Sequence, residues 1–238
     1  MNQNDNVLLT IVPRVRDCDA AQLYNGKFTA GEIEQLNSAI LIDMINHSHR
    51  TQTYKFVIHT IIPGYEEFLT PHLLTNIELH AAGESDPHGY SYSLVLDRMK
   101  DKAGWNSLVM LVGFHPLVTS AHIHNAFNIL DHDENTIVYG STDDGNLYIC
   151  GMRAEQSSFQ NMGDGIFSNQ EAFLRRFCVT ENMIVPLETI AACSTIDDLQ
   201  SVQKIIEEKM VQHQFYPKRT IEFLKLHERR LNHPRVIE

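Results

Sequence analysis

Residues 7–12, Val-Leu-Leu-Thr-Ile-Val, are a short apolar, partly β-branched run stopped by Pro13, a pattern that predicts a buried strand opening into a loop. In residues 29–46 the apolar positions Ile33, Leu36, Ile40, Leu41 and Met44 recur at helical spacing, and Thr29 with Glu32 three residues later reads as a capping box. A second β-rich run at residues 54–62 closes on the turn signal Pro63-Gly64. Leu94, Leu96 and Met99 predict a helix over residues 91–102, ended by Gly104. Residues 107–112, Ser-Leu-Val-Met-Leu-Val, are almost wholly apolar, as a central strand covered on both faces should be, and they break at Gly113-Phe114-His115-Pro116. Thr119 then caps a helix to Ile129; residues 136–139 and 147–152 predict strands, 172–177 a helix and 184–187 a short edge piece.

Strands alternating with helices over about 200 residues predict an α/β sandwich around a mostly parallel sheet. Ligands of such sheets gather at the C-terminal ends of the strands. The loops at residues 13–19, 113–116 and 142–146 are therefore where chemistry is expected.

Composition narrows the classes. The 238 residues are 43% hydrophobic and 21% charged, which fits a globular chain and excludes disorder, collagen and coiled coil. The net charge of −11 has the wrong sign for capturing nucleic acid through its phosphates. No apolar run reaches the ~18 residues of a membrane span, and Met1-Asn2-Gln3-Asn4-Asp5-Asn6 has neither a basic start nor an apolar signal core, so a cytoplasmic protein with no membrane partner is expected. Cys18, Cys150, Cys178 and Cys193 lie far apart and read as buried free thiols. The thirteen histidines form no metal-binding motif and read as scattered positions that make the charge pH-sensitive.

Charge also divides the chain. From Ile206 onward there are seven Lys or Arg against five Asp or Glu, about +2, so the preceding part carries about −13. Ile221, Phe223, Leu224 and Leu231 give this tail an apolar stripe among charges. The expected division is a domain at residues 5–205 and a charged helical extension at 206–238, docked on its own domain or on a subunit neighbour in a homo-oligomer.

No Walker loop, G-x-G-x-x-G or G-x-S-x-G stands in the chain. An ordered series of loop signals does: Pro13-Arg14-Val15-Arg16; Gly113-Phe114-His115-Pro116-Leu117-Val118-Thr119; Gly140-Ser141-Thr142-Asp143-Asp144-Gly145-Asn146-Leu147-Tyr148-Ile149-Cys150-Gly151; and Ser194-Thr195-Ile196-Asp197-Asp198-Leu199. This order resembles a bacterial family of glycosyltransferase-like proteins with the nucleotide-diphospho-sugar transferase (GT-A-like) fold, over about residues 7–205. The third series carries most of the resemblance, with Asp144-Gly145, Tyr148 and Gly151 matching and Asn146 standing where the family has glycine. Gly165-Ile166-Phe167-Ser168 is a weaker match to Gly-Ile-x-Trp-Ser.

The resemblance implies a nucleotide-sugar-dependent transferase, or related nucleotidyl transfer, in which carboxylates hold a divalent cation, Mg or Mn, against the nucleotide diphosphate. Both of those carboxylates are replaced, one around Phe114-His115 and one at Ser194. Arg14 and Arg16 stand at the family's basic positions and are expected on the diphosphate, with Gly113 and Gly145 in the ligand-binding loops. Asp143, Asp144 and His115 are the expected catalytic residues, with Asp144 and His115 also the expected metal ligands. Asp143 and Asp144 could equally serve a sugar hydroxyl or plain turn chemistry, and His115 could cap the following helix. A catalytically degenerate relative that binds a ligand or assembles is the alternative.

Overall fold

The computed structural model of the chain describes residues 6–12, 15, 21–48, 54–60, 65–69, 77–81, 96, 105–153, 164–167, 169–211 and 217–232. Their strands are β1 (Asn6–Val12), β2 (Lys55–Thr60), β3 (Ile77–Ala81), β4 (Ser107–Leu111), β5 (Thr136–Ser141), β6 (Leu147–Arg153) and β7 (Met183–Pro186). They form one seven-stranded sheet in the order β3-β2-β1-β4-β6-β5-β7. Every pair is parallel except those made by β6, which runs against both β4 and β5. The predicted mostly parallel α/β architecture is the observed one.

The apolar run over β4 stands fourth of the seven strands with all five residues buried. Two apolar layers flank it: Val109 and Leu111 face one, Leu108 and Met110 the other. That two-sided burial is why this strand reads as an unbroken apolar run. The helix α1 (Ala30–Ser48) starts as its capping box predicts: Glu32 N–H donates to Thr29 Oγ1 at 3.2 Å, and Thr29 N–H to Glu32 Oε2 at 2.9 Å. Leu96 is helical and buried, but the rest of the expected helix at 91–102 lies outside the described residues.

Two features escape the apolar pattern. β3 was not expected; its Ile77 and Leu79 alternate with Glu78 and His80 on an edge strand. The direction of β6 is the other, because a buried strand reads the same either way. Gly151 and Gly140 fit β5 and β6 together. A Cβ on Gly151 would stand 3.0 Å from both Val109 and Val138, and one on Gly140 would collide with the Tyr148 ring.

Four further helices matter to the site: α2 (Ser120–His132), α3 (Gln170–Phe177), α4 (Ile196–Val211) and α5 (Lys218–Leu226), the last followed by the short α6 (Glu228–Asn232). The helix α4 runs through residues 205 and 206 without a break. Beyond it, α5 packs against α1, and the buried Asp43 on α1 accepts from Arg219 N–H at 3.0 Å and from both Thr220 N–H and Oγ1 at 2.8 Å. A carboxylate from one helix thus satisfies the orphan donors at the start of another. Cys150 and Cys193 are buried, whereas Cys178 is exposed beyond the end of α3. No helix among the described residues is long and apolar enough to cross a membrane.

Candidate functional site

The C-terminal ends of β4 and β5 and the start of β6 meet at one edge of the sheet. β4 leaves its ladder through Val112 N–H, which donates to Tyr148 O at 2.9 Å. Gly113 then takes φ +75°, and at the facing turn Gly145 takes φ +85°. Neither would meet an atom within 4 Å of an added Cβ, so the left-handed backbone, not close approach, requires glycine at both.

His115 follows Gly113 and is buried. Its Nδ1 accepts from Leu117 N–H at 3.3 Å, which leaves the ring proton on Nε2. Nε2 is buried and completes no hydrogen bond. Burial dominates its chemistry and pushes the imidazole down to about 4, against the opposing pull of the Ala191 carbonyl and of Asp144 and Asp143. His115 does not cap the next helix. Thr119 does, with His122 as reciprocal partner: Thr119 N–H donates to His122 Nδ1 at 3.1 Å. His122 is also shifted down, first by burial, and stands 3.9 Å from the Glu188 carboxylate. Burial thus favours the neutral form of both, which makes them packing histidines among the surface and packing positions that the sequence suggests.

The turn between β5 and β6 holds the two expected carboxylates. Asp143 Oδ1 accepts from Ala192 N–H at 2.8 Å, and Asp143 N–H donates to Ile190 O at 3.0 Å, tying the turn to the segment after β7. Asp144 is exposed, yet both of its oxygens are engaged. Oδ1 accepts from the Thr142 hydroxyl and from Asn146 N–H at 3.2 Å; Oδ2 accepts from Asn146 Nδ2 at 2.8 Å and from Ser194 Oγ at 3.4 Å. Partial burial works against ionisation, but these donors outweigh it and hold the carboxyl below its usual range.

Ser194 is fixed from three sides. Its carbonyl accepts from Tyr24 N–H at 3.1 Å, its amide donates to Asp198 Oδ2 at 3.0 Å, and its hydroxyl reaches Asp144. Asp198 also accepts from Thr195 N–H at 2.8 Å and donates its own N–H to Thr195 Oγ1 at 3.2 Å, so Thr195 caps α4 with Asp198 as its reciprocal partner.

The edge brings Asp143, Asp144, His115, Gly113, Gly145 and Ser194 into one neighbourhood. Arg14 and Arg16 lie outside the described residues. Between them Val15 N–H donates to Glu34 Oε1 at 3.1 Å, which ties the loop after β1 to α1. The sequence does not single out Tyr24 or Glu188, although Asn25-Gly26 is a turn signal beside the first, and it marks Asn146 only as a departure from glycine, not as a partner of Asp144.

A divalent cation does not fit these residues. Among the described residues no group of three or more His, Cys, Asp or Glu could hold a metal ion. The one carboxylate at the centre of the edge has its lone pairs taken by four protein donors, and a buried neutral imidazole and a hydroxyl stand where the resemblance has carboxylates.

The fold is shared with known structures. A candidate nucleotide-diphospho-sugar transferase from Desulfovibrio desulfuricans superposes with a TM-score of 0.71 at 14% identity, over 96% of this chain and 97% of that one. The chain has the nucleotide-diphospho-sugar transferase fold. It is also similar to a 4-diphosphocytidyl-2C-methyl-D-erythritol synthase from Anaerococcus prevotii, with a TM-score of 0.55 at 8% identity over 87% of this chain and 100% of that one. A CMP:2-keto-3-deoxy-manno-octonic acid synthetase complexed with CTP gives 0.50 at 11% identity over 86% and 98%. No protein-family model and no curated protein matches the sequence. Identities this low establish the fold and leave the chemistry to the residues.

Proposed function

We propose that the chain binds a nucleoside diphosphate or nucleotide sugar at this edge, beside the switch point between β1 and β4, and that its cation-dependent transfer is weak or absent. The fold and the position of the edge support the first half. One observation carries the second: the two residues that depart from the resemblance around Asp144, Asn146 for glycine and Ser194 for aspartate, both donate hydrogen bonds to it. Protein donors hold the carboxylate where a cation would otherwise neutralise it. Arg14 and Arg16 supply the positive charge for the diphosphate. In the metal-free transfer that forms the second reading, Asp144, kept ionised, would accept from a ligand hydroxyl in exchange for its longest protein donor, the Ser194 hydroxyl at 3.4 Å.

The test is thermal unfolding with nucleoside diphosphates and their sugars, with magnesium, manganese or chelator, followed by turnover assays. Nucleotide should raise Tm to a similar extent with cation or chelator. The variant carrying His115→Asp and Ser194→Asp should gain cation dependence. Robust cation-dependent turnover by the unaltered chain overturns the reading, and silence toward every nucleotide overturns its first half.

A further inference from the structure

Tyr24, Asn25 and Gly26 follow one another with φ of 52°, 55° and 64°. Glycine takes this left-handed region freely; a buried tyrosine stays there only where its surroundings over-determine it. On one side those surroundings are the candidate site. Tyr24 N–H donates to Ser194 O, whose hydroxyl reaches Asp144, and the Tyr24 hydroxyl lies within hydrogen-bonding reach of the Cys193 thiol. On the other side they are the C-terminal helices. The Tyr24 ring meets Phe28 edge-on at 5.6 Å, and Phe28 meets Phe223 of α5 at 5.8 Å and His227 at 5.4 Å. Arg230 of α6 clamps this stack to α1 through Glu32 at 2.6 Å, and its carbonyl accepts from Lys27 Nζ at 3.1 Å.

We propose that Tyr24 is a positioning residue of the candidate site, held in its left-handed turn by α5 and α6, so that the C-terminal helices order Ser194 against Asp144. Two arguments favour this over plain packing. The chain from Phe223 to Asp144 is continuous, each link being a ring contact or hydrogen bond. Its conformationally costly member, Tyr24, is also the one that passes from the aromatic stack to the site. The inference rests on the function proposed above only for its ligand readout.

Cys193 and Cys150 provide an internal comparison, since both thiols are buried and only Cys193 adjoins Tyr24 and Ser194. The experiment is a pulse of N-ethylmaleimide on the full chain, with each cysteine followed separately by peptide mass spectrometry. Phe223→Ala should speed labelling of Cys193 at least tenfold with Cys150 unchanged, because the turn opens while the sheet stays closed. Phe223→Leu, which keeps most of the apolar volume, should stay within about threefold of the native rate. In parallel, the affinity for the nucleotide that most raises the native Tm should fall at least fivefold in Phe223→Ala and recover in Phe223→Leu. Equal acceleration of both cysteines, acceleration of neither, or a faster Cys193 with unchanged affinity overturns the proposal. If no nucleotide binds the native chain, the proposed function falls and the labelling pattern alone decides the positioning.

Discussion

The loop after β4 and the turn between β5 and β6 share one edge of the sheet and treat charge in opposite ways. In the first, burial around His115 supplies few partners, and the imidazole stays neutral because a charged ring would be desolvated. In the second, Asp144 is exposed and surrounded by donors, and it stays charged because each oxygen is hydrogen-bonded. Desolvation decides one site and hydrogen bonding the other. Neutral imidazole beside ionised carboxylate is thus a product of local structure, and no cation is needed to hold it.

Acid should separate the two regions, and it gives the largest expected effect. The folded-state pKa of His115 is depressed to about 4, so between that value and an unfolded value near 6.5 the unfolded chain binds the extra proton. Stability is therefore fully present above pH 6.5 and lost as pH falls toward 4, by roughly 3 kcal/mol for a shift of this size. Asp144 is depressed from 3.8, so its own contribution is lost only at still lower pH. Denaturant unfolding at pH 7 and pH 4.5 measures the first window. His115→Asn, which keeps an acceptor for Leu117 N–H and does not titrate, should flatten the loss. His122 and His227 shift in the same direction and contribute to the slope that remains. Equal slopes in the two proteins would show that His115 is not held neutral.

How far the sequence reveals each region follows the same division. The apolar run over β4, the break at Gly113 and the capping pair Thr29 and Glu32 are local patterns, and each becomes the element it predicts. Asp144 too is visible, as one of two carboxylates in a turn. Its partners are less so: Ser194 lies 50 positions away, and the pairing of the segment after β7 with the β5–β6 turn brings it there. Neutrality at His115 is invisible in the sequence, since burial is a property of everything packed around the ring. Asp43 is hidden in the same way, because its partners in α5 lie 176 and 177 residues along the chain.

Within the turn, the two neighbouring aspartates should behave differently. Asp143→Ala removes a charge-assisted acceptor and leaves the N–H of the buried Ala192 unpaired, at a cost of about 1–2 kcal/mol. Asp144→Ala should cost less, about 0.5–1 kcal/mol, because most of its donors can turn to water, while nucleotide affinity should fall more than in Asp143→Ala. Chemical denaturation of the two variants, with calorimetric titration of nucleotide, gives both rankings. A larger stability loss at Asp144 would mean that this turn is braced through Asp144 and its four donors and not through the Asp143–Ala192 hydrogen bond.

The smallest expected effect is that of Asn25→Gly, at a position where backbone conformation, and neither burial nor hydrogen bonding, is the deciding quantity. Its φ of 55° is one that asparagine tolerates better than most residues, so relief from Asn25→Gly should be only a few tenths of a kcal/mol. Glycine in turn loses about 0.5–1 kcal/mol more chain entropy on folding. The two effects nearly cancel, and Asn25→Gly should leave stability within about 0.5 kcal/mol of native. A β-branched residue has no such offset, because its side chain is stiff and crowds the left-handed backbone, so Asn25→Val should cost about 1–2 kcal/mol. Cys193 should follow the same order, labelling at the native rate in Asn25→Gly and faster in Asn25→Val, since Tyr24 carries the turn's strain to that thiol. If Asn25→Val were as stable as the native chain, the turn would be able to abandon its left-handed form at little cost, and Tyr24 would owe its place to packing alone.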